Sequence, residues 1–317
     1  MQTMVFLEQD SLPGTDLSSW QQLPVTLHCY QSTAASEVLD RALAADILVV
    51  NKVRLDAMIL AQLPRLKLIC VTATGVNNVD LVAAKRLGIR VCNARDYALQ
   101  AVPQHAMALL LSLVNQVIPY QQAIQAGRWS QSSMFCLLDY PIRQLAGQTF
   151  CVVGYGGLGK ATAQLAAAFG MKVVIAERPN AEVVRPGRVS FQAALKQADV
   201  LSLHCPATDE NYHLLNAERL SWLQPHAILI NTARGSLIDA QALATALRQG
   251  RLAAAGLDVL DIEPPPADHP LLASDIPGLL LSPHVGWASQ QAMQTLIAQT
   301  TENIQAYLHG QAVRVCH

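Results

Sequence analysis

Three charged residues stand directly behind apolar runs of the sequence. Arg234 follows "LINTA", with Gly235 immediately after it; the loop from Asp258 to Glu263 follows "AAAGL"; and His284 follows "LLLSP". A guanidinium offers a planar fork that grips a carboxylate through two parallel hydrogen bonds and polarises a carbonyl beside it. Imidazole gives up or takes a proton near neutral pH. A neighbouring carboxylate favours the charged, proton-donating form of that imidazole, and Glu263 is the residue placed to act so. These are the requirements for reducing a 2-keto acid: a fork on the substrate carboxylate and an acid for the carbonyl oxygen as hydride reaches the carbon. Singly, each residue has a plainer reading, as a solvated loop arginine, a satisfied core histidine or a cap on a proline loop. Their shared place, at the carboxyl ends of parallel strands where ligands bind, is what favours chemistry.

A hydride donor is implied upstream. "CVVGYGGLGKATAQLAAAFGMKVVIAER" carries Gly154, Gly156 and Gly159 in G-x-G-x-x-G spacing, after a strand and opening a helix. The first glycine makes the turn, the second admits a pyrophosphate to the backbone, and the third lets helix and strand pack closely, with helix N-terminal amides facing the phosphates. Leu158, Ala161, Leu165 and Ala168 form the expected sheet-facing stripe, and Gly170 ends the helix. Glu177, at the end of the next strand, is placed to accept from the adenosine ribose hydroxyls. It repels a 2′-phosphate and so favours NAD, whereas Arg178 attracts one, which keeps NADP open. Asp258 is placed for a contact to the nicotinamide carboxamide, or as a loop cap; His105, His204 and His226 lack such company and read as structural.

These residues need rigid elements behind them. Short runs rich in Val, Ile and Leu alternate with helical patterns, the signature of parallel sheets covered on both faces. Before residue 100, strands are expected near 3–8, 24–30, 46–50, 66–72 and 89–93; from about 149 a second series runs from "TFCVVGYG" to "LLLSPH". Between them, residues 104–127 form a long apolar helix stopped by Gly127, and Ser289 caps a last helix with Met293, Leu296, Ile297, Ile304, Tyr307 and Leu308 on one face. The fold class that follows is α/β: a Rossmann-type doubly wound domain over 101–288, inserted into a smaller α/β domain of residues 1–100 plus 289–317.

With 317 residues, 51% of them hydrophobic and 14% charged, the chain can bury two cores. A formal net charge of −1 gathers neither nucleic acid nor anionic lipid, so a small metabolite is the expected partner. The N-terminus lacks a basic, signal-like start, and the apolar run 106–114 is too short to span a bilayer. Seven cysteines without C-x-x-C spacing suit buried thiols in a reducing cytoplasm, and no metal-ligating cluster is evident.

The motifs "GYGGLGKATAQLAAAFGMKV", "INTARGSLID", "GLDVLDIEPPPADHPLL" and "LSPHVGWAS", in this order, resemble those of the D-isomer-specific 2-hydroxyacid dehydrogenases over nearly the whole chain. The resemblance implies that Arg234, Glu263 and His284 are the catalytic set. It places cofactor contacts at Val102, at Gly154, Gly156, Gly157, Leu158 and Gly159 of the turn, and at Glu177 and Arg178. Further along, Cys205, Pro206, Thr232, Ala233, Arg234, Asp258, His284 and Gly286 join them. It implies a flavodoxin-like substrate domain, in which Asn51 and Lys52 and the loop at Thr74, Gly75 and Val76 hold the substrate with Arg234 and His284; read physically, such a loop is an anion nest or an ordinary turn. It also implies a homodimer, with helix 104–127 as the candidate interface. "FCLLDYPIRQLAGQTF" and Gln104 resemble the glycerate dehydrogenase and hydroxypyruvate reductase branch, and Glu263 stands where the formate dehydrogenase branch has glutamine. Hydroxypyruvate or glyoxylate is the expected substrate, with D-glycerate or glycolate as product. Phosphoglycerate dehydrogenase activity is less expected without an appended regulatory domain. The other alternative is a dinucleotide-sensing binding protein like the related C-terminal-binding corepressors.

Overall fold

The computed structural model describes residues 1–316, which form two compact units. One comprises residues 1–97 and the chain from Ala288 onward; the other is Ala98–Trp287.

The first unit is built on five parallel strands, β1 (Gln2–Phe6), β2 (Val25–Cys29), β3 (Ile47–Val50), β4 (Leu68–Val71) and β5 (Arg90–Cys92), in the order β2-β1-β3-β4-β5. That is the flavodoxin-like order. β3 and β4 read "ILVV" and "LICV" and are buried along their whole length, as strands covered on both faces must be. The helix Gln290–Leu308 packs on β4, and the Trp20 indole N–H donates to the Ile297 carbonyl. Its expected apolar face is buried at Met293, Leu296, Ile297 and Ile304, and Ser289 caps it by accepting from the Ala292 amide.

The second unit holds six parallel strands, β6 (Thr149–Val153), β7 (Lys172–Ala176), β8 (Val200–Leu203), β9 (Ile228–Asn231), β10 (Ala254–Leu257) and β11 (Leu279–Leu281), in the order β11-β10-β9-β8-β6-β7. Chain direction across the sheet reverses between β6 and β8. Such a switch point opens a crevice at the carboxyl ends of the strands.

Two helical expectations are corrected. Residues 104–127 do not make one helix: Ala101–Val114 and Val117–Gln125 meet at a 57° bend. Pro119 explains the break, since in a continuous helix it would leave the Asn115 carbonyl without its donor and clash with it, whereas in the first turn of a new helix it is tolerated. Gln116 takes the left-handed conformation, φ +54°, that turns the chain. Gly127, φ +75°, ends the second helix as expected. In the helix Gly157–Ala168 the buried face is Gly159, Thr162, Ala163 and Ala166, not the stripe through Leu165 and Ala168. Backbone approach decides this: a Cβ on Gly159 would lie 2.0 Å from the Gly154 carbonyl oxygen, so the smallest residues face the sheet and Leu165 is turned outward.

Candidate active site

The glycine turn leads directly from β6 into the helix Gly157–Ala168. Gly154 has φ +90°, and a Cβ there would lie 2.4 Å from the Cys205 amide nitrogen at the end of β8. The turn and the Cys205–Pro206 loop therefore meet backbone to backbone across the switch point. In front of Gly156 a Cβ would meet nothing within 4 Å, so the outer side of the turn is open. Near the end of β9 the Thr232 hydroxyl oxygen is buried without a hydrogen-bond partner. An open glycine turn at a switch point, with an orphaned hydroxyl nearby, fits a dinucleotide. Cys205, whose thiol burial pushes up to about 11, stays a neutral wall residue, as does Val102, which is buried in the helix that opens the unit.

Arg234 is carried by a turn that its own sequence ties. The buried Asn231 side chain accepts from the Ala233 amide (2.9 Å) and donates to the Arg234 carbonyl (2.9 Å). The Arg234 guanidinium gives one Nη1 hydrogen bond to the Ala233 carbonyl (2.7 Å), which leaves most of its fork to a ligand. Gly235 is required by a neighbour: a Cβ there would lie 1.8 Å from the Leu260 carbonyl carbon. The arginine turn thus rests on the loop that carries Glu263. That loop aims the carboxylate: Glu263 Oε1 accepts from the Leu260 amide (2.9 Å), and Oε2 lies 2.6 Å from His284 Nδ1. With Nδ1 donating to Glu263, Nε2 is the other nitrogen of the ring, a proton donor when the ring is charged. Arg234, Glu263 and His284, far apart in sequence, are thereby linked through one continuous set of contacts.

His284 itself has φ +54°, uncommon for a residue with a side chain. Asp258 holds it there. The Asp258 carbonyl accepts from the His284 amide (2.8 Å), and its carboxylate accepts from the Val285 (2.9 Å) and Gly286 (2.8 Å) amides and the Ser282 hydroxyl (2.6 Å). His105 completes the set, with Nε2 at 2.8 Å from Ser282 Oγ and 3.3 Å from Asp258. Burial pushes the Asp258 carboxyl up, but hydrogen bonds from His105, Ser282, Gly286 and Val285 outweigh it and hold the group below the usual range. Asp258 thus fixes the histidine turn, in keeping with the loop-cap reading of this residue. Gly286 has no side chain because a Cβ would sit 2.9 Å from Asp258 Oδ2.

Glu177 is likewise held by its neighbours. Its carboxylate is only 2% exposed and turned to Arg185: Oε1 accepts from Arg185 Nη2 (2.5 Å) and the Arg178 amide (2.9 Å), and Oε2 from Arg185 Nε (2.7 Å) and the Arg185 amide (3.3 Å). A carboxylate has about four acceptor directions, and all are taken. The Arg185 hydrogen bonds hold its carboxyl down to about 2.

In the first unit, the loop after β4 exposes Thr74 and half-buries Gly75 and Val76, and their amides donate to no acceptor among the described residues. It is an open nest of donors. The loop after β3 is different, because the Asn51 (2.7 Å), Lys52 (2.8 Å) and Val53 (2.8 Å) amides all donate to Glu8 Oε2. Glu8, Asn231, Ser282 and Arg185 were not singled out in the sequence. Asn231 had a signal, an Asn two residues before a turn; the others act across 8 to 177 residues of chain and had none.

Residues 107–286 match the sequence model of the NAD-binding domain of D-isomer specific 2-hydroxyacid dehydrogenases. A glycerate dehydrogenase of Methylorubrum extorquens is 41% identical over 98% of this chain and 98% of its own length. A hydroxypyruvate reductase of Blautia hydrogenotrophica is 34% identical, again over 98% of each. Among solved structures, an acyclic imino acid reductase in complex with NADPH and D-Arg superposes with a TM-score of 0.86 at 26% identity, covering 99% of this chain and 100% of that one. With a dinucleotide turn at the switch point and an arginine, a glutamate and a histidine joined beside it, the chain belongs to the D-isomer-specific 2-hydroxyacid dehydrogenase family, enzymes that reduce 2-keto acids with NAD(P)H.

Proposed function

We propose that this enzyme reduces small 2-keto acids, hydroxypyruvate and glyoxylate, to D-glycerate and glycolate. The observation that carries the reading is the Glu263 to His284 contact at 2.6 Å, which fixes the ring by one nitrogen and commits the other to substrate. When bound, the nicotinamide supplies the hydride. Arg234 clamps the substrate carboxylate with the donors its turn leaves open and polarises the carbonyl. His284 Nε2 gives its proton to the oxygen, and Glu263 stabilises the ring while it is charged. Within the first unit, the open amides of Thr74, Gly75 and Val76 form a nest suited to a carboxylate, whereas Asn51 and Lys52 belong to a loop that Glu8 holds in shape. Cofactor contacts are assigned to Val102, Gly154, Gly156, Gly157, Leu158, Gly159, Cys205, Pro206, Thr232, Ala233 and Gly286.

A homodimer in a reducing cytoplasm completes the proposal. The seven cysteines are all unbridged, which supports the compartment. The helix Ala101–Val114 is engaged by β9, β10 and the helix Gly157–Ala168. The proposed interface is therefore the apolar surface that follows it, with Val117, Ile124, Trp129, Phe135 and Leu138 exposed.

The test is oxidation of NADH and NADPH with hydroxypyruvate, glyoxylate, pyruvate, phenylpyruvate and 3-phosphohydroxypyruvate, wild type beside His284→Gln. The expected result is turnover fastest on hydroxypyruvate or glyoxylate and reduced by about 10² to 10⁴ in the variant, with dinucleotide binding intact. Dinucleotide binding without turnover of any keto acid would sink the proposal.

A further inference from the structure

The Glu177 carboxylate stands where an acid accepts from the 2′-hydroxyl of the adenosine ribose in NAD-selective folds. Here it is buried under Arg185, which covers it with Nε and Nη2 and is itself half exposed. An acid so engaged offers no acceptor to a ribose hydroxyl, and its charge is neutralised where a 2′-phosphate would otherwise be repelled. The Arg185 Nη1 group enters none of these bonds and is left for another acceptor. Arg188, whose Nε lies 3.8 Å from Glu177 Oε2, adds a second guanidinium to the same carboxylate. Arg178 is exposed, and its side chain makes no hydrogen bond or ion pair among the described residues. Residues 177–188 thus gather three guanidinium groups against two carboxylates, Glu177 and the exposed Glu182.

We propose that this surface is a 2′-phosphate subsite, with Arg185 masking Glu177 and Arg178 and Arg185 receiving the phosphate, so that the enzyme selects NADPH over NADH. This rests on the reading of the second unit as the dinucleotide-binding part of a reductase. A guanidinium already paired on one edge is held in place, so it meets a phosphate without first losing its rotamer freedom. Arg178 adds a mobile partner.

Calorimetric titration of the full-length protein with NADPH, NADH, adenosine 2′,5′-bisphosphate and 5′-AMP reads the subsite without turnover. NADPH should bind about tenfold or more tightly than NADH, and the bisphosphate more tightly than 5′-AMP by a similar factor. Raising NaCl should weaken NADPH more than NADH. Arg178→Ala, at an exposed position, should weaken NADPH by about tenfold and leave NADH within about threefold. Arg185→Ala should go further and reverse the preference, tightening NADH while weakening NADPH, because it returns Glu177 to the ribose. A merely structural Arg185 would weaken both alike. Equal or tighter binding of NADH by the wild type, or equal losses for both dinucleotides in both variants, overturns the subsite and leaves the reductase reading standing. Failure to bind either dinucleotide overturns both.

Discussion

At the scale of single residues, the chemistry depends on which groups are held and which are left open. Glu263 has one oxygen on the Leu260 amide and the other on His284. Replacing it by Gln keeps the shape but removes the charge proposed to stabilise the imidazolium during proton transfer. Turnover of Glu263→Gln is expected to fall by about 10 to 10² with the KM for keto acid little changed. A KM effect alone would show that Glu263 binds substrate instead. Arg234→Lys keeps a positive charge and loses the fork, so kcat/KM should drop by about 10² or more; a wild-type value would exclude the clamp. These three residues were legible in the sequence because each follows an apolar strand at the edge where ligands bind. Glu177 was legible as an acid at a strand end, but its partner was not. That partner, Arg185, lies eight residues away in a loop whose course no periodicity reveals.

At the scale of elements, glycines and buried polar groups set how the loops meet. Gly235 lets the arginine turn touch the backbone at Leu260, so Gly235→Ala must push the two loops apart. The expected cost is about 1–3 kcal/mol of stability, with a larger proportional loss in turnover than in dinucleotide affinity; unchanged turnover would mean that the loops move independently. Glu8 gathers three amides after β3, and Glu8→Ala should cost about 2–4 kcal/mol, read as a lowered Tm, because three donors lose a charged acceptor. His204, at the end of β8, is lowered by burial to about 4, its Nε2 lying 2.8 Å from Ser202 Oγ. The folded state therefore keeps it neutral while the unfolded chain takes up a proton below about pH 6.5. Its contribution is present in full above that pH and is lost as pH falls from about 6.5 to 4, by up to roughly 3 kcal/mol. His204→Gln should flatten the dependence of Tm on pH in that window; an unchanged slope would assign the acid sensitivity to other groups. The sequence marked His204 as structural and the strands within a residue or two, because apolar runs bounded by turns report burial directly. It misjudged the two helices, because a proline inside an apolar run and the rotation of a helix on a sheet depend on backbone approach, which side-chain periodicity does not encode.

For the whole molecule, the exposed apolar side chains after the helix Ala101–Val114 make an assembly prediction. Light scattering of the wild type should give a dimer at micromolar concentration, and Phe135→Asp with Leu138→Asp should give a monomer, since both side chains are more than three-quarters exposed. A monomeric wild type would remove the interface. The insertion of Ala98–Trp287 into the other unit has a consequence for the order in which the protein is made. Strand β5 is complete once residue 92 has been translated, but the helix that packs on β4 begins only at Gln290. At ordinary translation rates that helix is synthesised roughly 10–40 s later. In the interval the nascent first unit lacks its last helix, while every strand of the inserted unit has been translated by Leu281. Released chains truncated after residue 285 should resist protease within the inserted unit and be cut in the N-terminal segment, whereas the full chain should resist cleavage in both.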